Sequence, residues 1–370
     1  MKKILFAFCA VALLIACSGD GGGSSQGDSY DRTALLTNWA DNIIIPSFEN
    51  YQAKVNTLVA NTTAFTATPS EANLQTLRAS WLEAYKAFQY VSMYALGKAE
   101  EISFKESTNT YPSNASGIDA MIADGNYNLI PFSSFDKQGF PGMDYLINGL
   151  GINDADILEF YTTNANASNY KQFLTTVSDR LKTRIDLVVA DWKGSFREIY
   201  IADNSQKINS AVNKTTNLFV KNIEKDIRTG KLGIPAGLFS GGMKYPEKVE
   251  GFYKNDISKE LLNLSLKATQ DFFNGKHFGS ATNGVSLKSY LDYVNADRDG
   301  QKLSDIINNQ FTAVFTANDG LNNSFSEQIF SDNSKMITAY DALQQNVVYT
   351  KLDMLQALGI TIDYVDGDGD

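Results

Sequence analysis

Apolar side chains recur at steps of three and four, or their sums, along four long stretches of this chain, a spacing that fits one face of an α-helix. The stretches are Leu74, Leu77, Trp81, Tyr85, Phe88 and Ala95; Val177, Leu181, Ile185, Val188 and Trp192; Ile257, Leu261, Leu264, Ala268 and Phe272; and Met336, Tyr340, Leu343, Val347, Met354 and Leu358. Alternating runs of period two are hard to find. Pro46, Pro69 and Pro112 read as boundaries, where helices tolerate proline. The sequence therefore predicts an all-α fold of packed helix bundles. The body is too long for one comfortable core, and its size favours two helical-bundle lobes, placed at residues 31–195 and 196–370.

The N-terminus is of another kind. Met1, Lys2 and Lys3 precede an apolar run from Ile4 to Ala16, a charged segment followed by a hydrophobic one too short to cross about 30 Å of hydrocarbon. Leu14-Ile15-Ala16-Cys17 resembles the bacterial lipobox. Residues 1–16 are thus expected to leave as a lipoprotein signal peptide, with Cys17 lipidated. Each buried methylene of the attached chains adds about 0.8 kcal/mol of membrane affinity. Residues 17–30 are rich in Gly, Ser and Asp without apolar periodicity and read as a flexible tether. The expected location is the cell envelope, as an outer-membrane lipoprotein whose membrane partner is reached through the Cys17 lipid; the lack of Asp after Cys17 is compatible with that sorting.

Of the two cysteines, Cys9 lies in the signal and Cys17 carries the lipid. Disulfides, thiol nucleophiles and thiolate metal sites are thereby excluded from the mature body. His277 is the only imidazole, so no site needing two histidines forms within one chain. The formal charge is −10, and no Lys/Arg stripe interleaves with aromatics, which argues against a nucleic-acid partner.

Two segments, Ser103 to Leu150 and Gly230 to Lys248, break the helical pattern and carry aromatics such as Tyr111, Tyr127, Phe132, Phe135 and Tyr245. They are expected to be long packed loops and to hold the site. Asn295-x-Asp297-x-Asp299-Gly300 has the first half of a calcium loop, but Ile306 stands where the bidentate glutamate belongs. Asp366, Asp368 and Asp370 close the chain too early to complete one. The other reading of both is Asp/Asn turns and caps.

Several landmarks, in order, resemble the imelysin family, exported bacterial proteins classed by homology as peptidases and found among iron-uptake lipoproteins. Ile45-Pro46-Ser47-Phe48 and Leu77-Arg78-Ala79-Ser80-Trp81 look like the family's first helical pair. Gln138-Gly139-Phe140-Pro141-Gly142-Met143-Asp144-Tyr145-Leu146 stands where the family carries its G-x-H-x-x-E signature. Met243-Lys244-Tyr245-Pro246-Glu247-Lys248-Val249-Glu250 resembles a second-half segment, and the Asp/Gly-rich end resembles the family's C-terminus. The resemblance implies two helical lobes with a site near their interface.

The departures decide what transfers. Gly139 is kept, but Pro141 replaces the signature histidine and Asp144 the glutamate, and proline can neither ligate a metal nor carry a proton. No catalytic residue is assigned. The candidate binding residues are Gly139, Pro141, Asp144, Glu247 and Glu250. Asp144 reads either as a remnant acidic ligand or as a helix N-terminal carboxylate favoured by the dipole. Glu247 and Glu250, three apart, would share a helical face, to hold a cation jointly or to stand in solvent with Lys248 between them. A purely carboxylate site suits a hard cation, iron or calcium. The expected function is a non-catalytic binding component of iron uptake, taking iron or an iron-bearing ligand or protein. The alternative left open is an imelysin-type metallopeptidase with a site rebuilt from Asp144, Glu247, Glu250 and His277. Exchanging Pro141→His with Asp144→Glu is expected to leave the fold largely intact.

Overall fold

The computed structural model describes residues 28–364. The expected signal peptide, Cys17, the tether as far as residue 27, and Asp366, Asp368 and Asp370 lie outside the described residues. The fold is all-α. Strand structure among the described residues amounts to a hairpin pairing Asp297–Arg298 with Gln301–Lys302, and one bridge between Lys276 and Asn283.

One bundle packs the helices Ile45–Ala67, Glu71–Phe88 and Ala167–Asp191 together. Ser70 starts the second of these by accepting from the Asn73 N–H, and Leu74, Leu77, Trp81, Tyr85 and Phe88 are wholly buried along one face, as their spacing requires. Burying a side chain of this size contributes about 1.5–3 kcal/mol. The stripe stops at Phe88, because the helix does; Ala95 lies in the irregular stretch beyond the turns that follow. A second bundle is formed by Asn222–Gly233, Ser258–Phe273, Leu303–Asp319 and Ser334–Val347. The buried residues form one cluster that runs from Leu35 to Leu358 through both bundles.

Pro46 stands in the first turn of the helix Ile45–Ala67, as a boundary proline does, but no break precedes it. The chain is helical without a break from Arg32 to Ala67, and Trp39–Ile44 is wound as a π-helix directly before the proline. Proline has no N–H to give the turn before it, and the Asn42 carbonyl instead accepts the backbone N–H of Phe278 at 2.7 Å. Further π-helical turns occur at Tyr145–Gly149, Trp192–Phe196, Asn222–Gly233 and Val348–Met354. An extra residue in a helical turn disturbs an apolar pattern too little to be read from sequence, and such turns gather at functional sites.

Of the two segments expected to be irregular, Ser103 to Leu150 is largely helical, whereas Gly230 to Lys248 is mostly turns, as expected. Between Ser103 and Leu150 run helices at Phe104–Asn109, Ala115–Asp124 and Gly139–Asp144, with a 3-10 turn at Phe132–Lys137. Gly230–Gly233 ends the π-helix of the second bundle, and Pro246–Lys248 is a 3-10 turn. Short helices rich in Gly, Ser and Asn carry too little periodicity to announce themselves. Packing of the N-terminal segment already begins at Asp28, which pairs with Arg32, while the Tyr30 ring stacks on Tyr290 at 4.0 Å. The calcium-like stretch is the hairpin turn: Asp299 and Gly300 have φ of 55° and 77°, the Asp299 side chain is 92% exposed, and Arg298 is paired with Asp353.

Candidate functional site

The signature-like loop enters the junction of the two bundles through Gly139. Its φ is +69°, and a Cβ there would lie 2.1 Å from the Thr108 carbonyl oxygen. Only glycine allows so close an approach at that backbone angle. It seats the short helix Gly139–Asp144 against Phe104–Asn109, and the ring of Phe140 then stacks on Tyr85 at 4.5 Å.

Pro141, Asp144 and Glu247 line one cavity of about 200 Å³, together with Tyr111, Ser113 and Tyr253. Sequence reasoning thus named three residues that the fold brings together. The Asp144 carboxylate, 1% exposed, accepts three N–H bonds, at least one on each oxygen. Oδ1 accepts the Lys254 N–H at 3.0 Å and Asn148 Nδ2 at 2.9 Å; Oδ2 accepts the Tyr253 N–H at 3.0 Å. Burial pushes this carboxyl up to about 7, against the pull of those three donors and of the Lys254 charge. It is not a helix N-terminal carboxylate: it closes its helix and clamps a turn of the second half onto the first. Pro141 is buried and offers the cavity only methylenes.

Glu247 and Glu250 do not share a helical face. Glu247 is exposed in the 3-10 turn, Val249 is extended, and Glu250 turns inward to 2% exposure. There Glu250 Oε1 accepts Asn109 Nδ2 at 2.7 Å and Gln89 Nε2 at 3.1 Å, and Oε2 is paired with Lys231, whose ammonium also donates to Gln89 Oε1 at 3.0 Å. Tyr85 extends the network by donating to Asn109 Oδ1 at 2.6 Å. So Glu250 is neither solvated nor available to a cation. A buried charge is tolerated when it is paired and its remaining lone pairs are satisfied, as here.

Gln89, Asn109 and Lys231 were missed. The signal for Gln89 was present, four residues beyond Tyr85 on the same apolar stripe, where a polar residue must find a buried partner. Nothing local marked Asn109 or Lys231. His277 lines a different groove, of about 410 Å³, between the helices Ile45–Ala67, Glu71–Phe88 and Ser258–Phe273. None of Asp144, Glu247 and Glu250 lines it, so the rebuilt site is not assembled. Among the described residues no group of three or more His, Cys, Asp or Glu is placed to hold a metal ion. The zinc site of a peptidase does not fit these residues: the imidazole position is proline, and both oxygens of the neighbouring carboxylate are occupied by N–H donors.

The sequence matches the imelysin family over residues 44–351. An imelysin-like protein from Psychrobacter arcticum 273-4 has the same fold at a TM-score of 0.69 and 16% identity, over 90% of this chain and 97% of that one. A candidate iron-regulated protein A precursor from Parabacteroides distasonis ATCC 8503 gives a TM-score of 0.72 at 15% identity, over 90% and 96%. No curated protein matches the chain.

Proposed function

The chain belongs to the imelysin family, and from that membership we propose that it is a membrane-anchored lipoprotein of the cell envelope, a non-catalytic component of iron uptake that binds iron or an iron-bearing ligand or protein. The observation that carries the non-catalytic part is the state of the signature position. Pro141 has no donor atom to offer, and the Asp144 carboxylate spends both oxygens on Asn148, Tyr253 and Lys254. A peptidase needs an open coordination position and a mobile base; this pair supplies neither. The link to iron is supported by the structural neighbour described as iron-regulated. Anchoring is supported by the Lys2-Lys3 start, the short apolar run and Cys17. No helix among the described residues is long and apolar enough to cross a membrane, which leaves the lipid as the proposed means of attachment.

Two measurements on the purified full chain test this. Detergent partitioning is expected to place the wild type in the detergent phase and Cys17→Ser in the aqueous phase; identical partitioning rejects the anchor. Incubation with unfolded protein substrates is expected to yield no chelator-sensitive cleavage. Stoichiometric zinc, with proteolysis abolished by chelator and restored by zinc, would establish the metallopeptidase instead.

A further inference from the structure

A second cleft opens on the other side of Tyr111, separate from the cavity at Asp144. It measures about 270 Å³ and lies where the segment from Lys105 to Tyr111 faces the π-helix Asn222–Gly233. Four lysines line it against two carboxylates, Glu106 and Asp226, in a chain whose formal charge is −10.

The four differ in how they are held. Lys105 is bound by both oxygens of Asp226, at 2.8 and 2.9 Å, and Lys231 belongs to the Glu250 network. Lys225 and Lys248 have no such partner among the described residues. The nearest carboxylate to Lys225 is Glu224 at 3.8 Å, beyond hydrogen-bond reach, and its oxygens already accept Lys351 at 3.0 Å and the Tyr364 hydroxyl at 2.7 Å. Yet the Lys225 side chain is only 19% exposed. Lys248 stands over the Tyr245 ring at 3.7 Å and meets no carboxylate. A third group in the same wall is unfinished. Asn222 is 3% exposed; its Nδ2 donates to Thr269 Oγ1 at 2.8 Å, but its Oδ1 is buried without a donor. An unmet buried acceptor costs about 1–3 kcal/mol, which a ligand donor would recover.

We propose that this cleft binds a small oxyanion that also carries a hydroxyl group, the chemistry of an α-hydroxycarboxylate. Its carboxylates are met by Lys225 and Lys248, and its hydroxyl donates to Asn222. The volume suits a compact ligand and is below the range of drug-sized pockets. Because the site shares neither Pro141 nor Asp144, the inference does not rest on the role proposed above.

Calorimetric titration of the purified full chain tests it with three probes: citrate; tricarballylate, which keeps the carboxylates and lacks the hydroxyl; and inorganic phosphate. Citrate is expected to bind one to one and to weaken as salt is added. Tricarballylate should bind about fivefold more weakly, the loss of one hydrogen bond to a buried acceptor. Lys225→Gln and Lys248→Gln should each weaken citrate by about tenfold, the loss of a charge-assisted contact, with circular dichroism unchanged; Lys54→Gln, in the other groove, should leave it unaltered. Absence of citrate binding at millimolar concentration overturns the proposal. So does binding that both Lys225→Gln and Lys248→Gln leave intact, or tricarballylate or phosphate binding as tightly as citrate.

Discussion

Lys231 and Glu250 form an ion pair at the junction of the two bundles, with side chains 7% and 2% exposed, and Gln89 bonds to both members. Glu250 thereby fastens the second half of the chain to the C-terminal end of the helix that carries Tyr85, where Gln89 caps it. Removing one charge leaves the other buried and alone. Lys231→Met and Glu250→Gln are each expected to destabilise by about 3–5 kcal/mol, and the paired exchange by clearly less than the sum. Urea unfolding of the four proteins measures the coupling; additive losses would mean that the pair acts as two independent polar groups.

The Asp144 carboxyl makes stability depend on pH in one window. Its proton is held up to about pH 7 in the folded protein and lost near the ordinary aspartate value, about 4, once unfolded. The folded state therefore binds the extra proton between those values. Its contribution is complete below about pH 4 and is lost as pH rises through about 7. Relative to Asp144→Asn, the wild type should lose about 1 kcal/mol per pH unit across that window. Unfolding free energies of both proteins from pH 4 to 8 measure it, and parallel curves would show that Asp144 stays ionised throughout.

At Gly139 the expected effect is steric. An alanine there adds a Cβ 2.1 Å from the Thr108 carbonyl at a φ of +69°, so the strand of contact between the two short helices must part. Gly139→Ala should cost about 2–4 kcal/mol and lower the melting temperature by several degrees. Gly241→Ala, also at positive φ but with open space around it, should cost about 1 kcal/mol from backbone strain alone. Equal losses at the two positions would remove the close approach as the reason for Gly139.

The long helices were legible because each buries a continuous face: Trp81 and Tyr85 are where their spacing puts them, and so are Leu181, Ile185 and Trp192. Three things were not. The π-helical turns shift the face by one residue without changing composition, so nothing announced that the helix with Pro46 in its first turn runs on from the one before it, with Phe278 supplying the donor that turn lacks. The spacing of Glu247 and Glu250 suggested a shared face only if a helix was assumed; a 3-10 turn followed by an extended residue sends one outward and one inward. The partners of Glu250 come from Asn109, Gln89 and Lys231, up to 161 residues away, and a polar residue in sequence does not say which distant polar residue it will meet. Of the five candidate residues, Pro141, Asp144 and Glu247 line one cavity, because the signature-like loop and the second-half segment that the resemblance singled out meet there.

Restoring the signature separates the two replaced positions. Pro141 faces a cavity of about 200 Å³ and its ring makes no polar bond, so Pro141→His adds a ring on the side where there is room. Asp144 has no such latitude. Its three N–H donors are spaced for the short side chain, at 2.9 to 3.0 Å; one more methylene in a 1% exposed position must displace the Tyr253–Lys254 turn or lose the bonds. Over-packing of this kind costs about 1–3 kcal/mol, and each buried N–H left unmet adds to it. From this geometry the paired change is expected to be tolerated at its first position and not at its second. Pro141→His should stay within about 1 kcal/mol of wild type, whereas Asp144→Glu and the paired variant should both lose about 2–4 kcal/mol. The paired variant should also fail to retain zinc after dialysis, because one imidazole and one strained carboxylate fall short of the three protein ligands a catalytic zinc needs. Urea unfolding and metal analysis of the three variants decide it: a stable paired variant holding one zinc per chain would show that the Asp144 clamp yields readily, and that proline alone keeps this site from being a peptidase's.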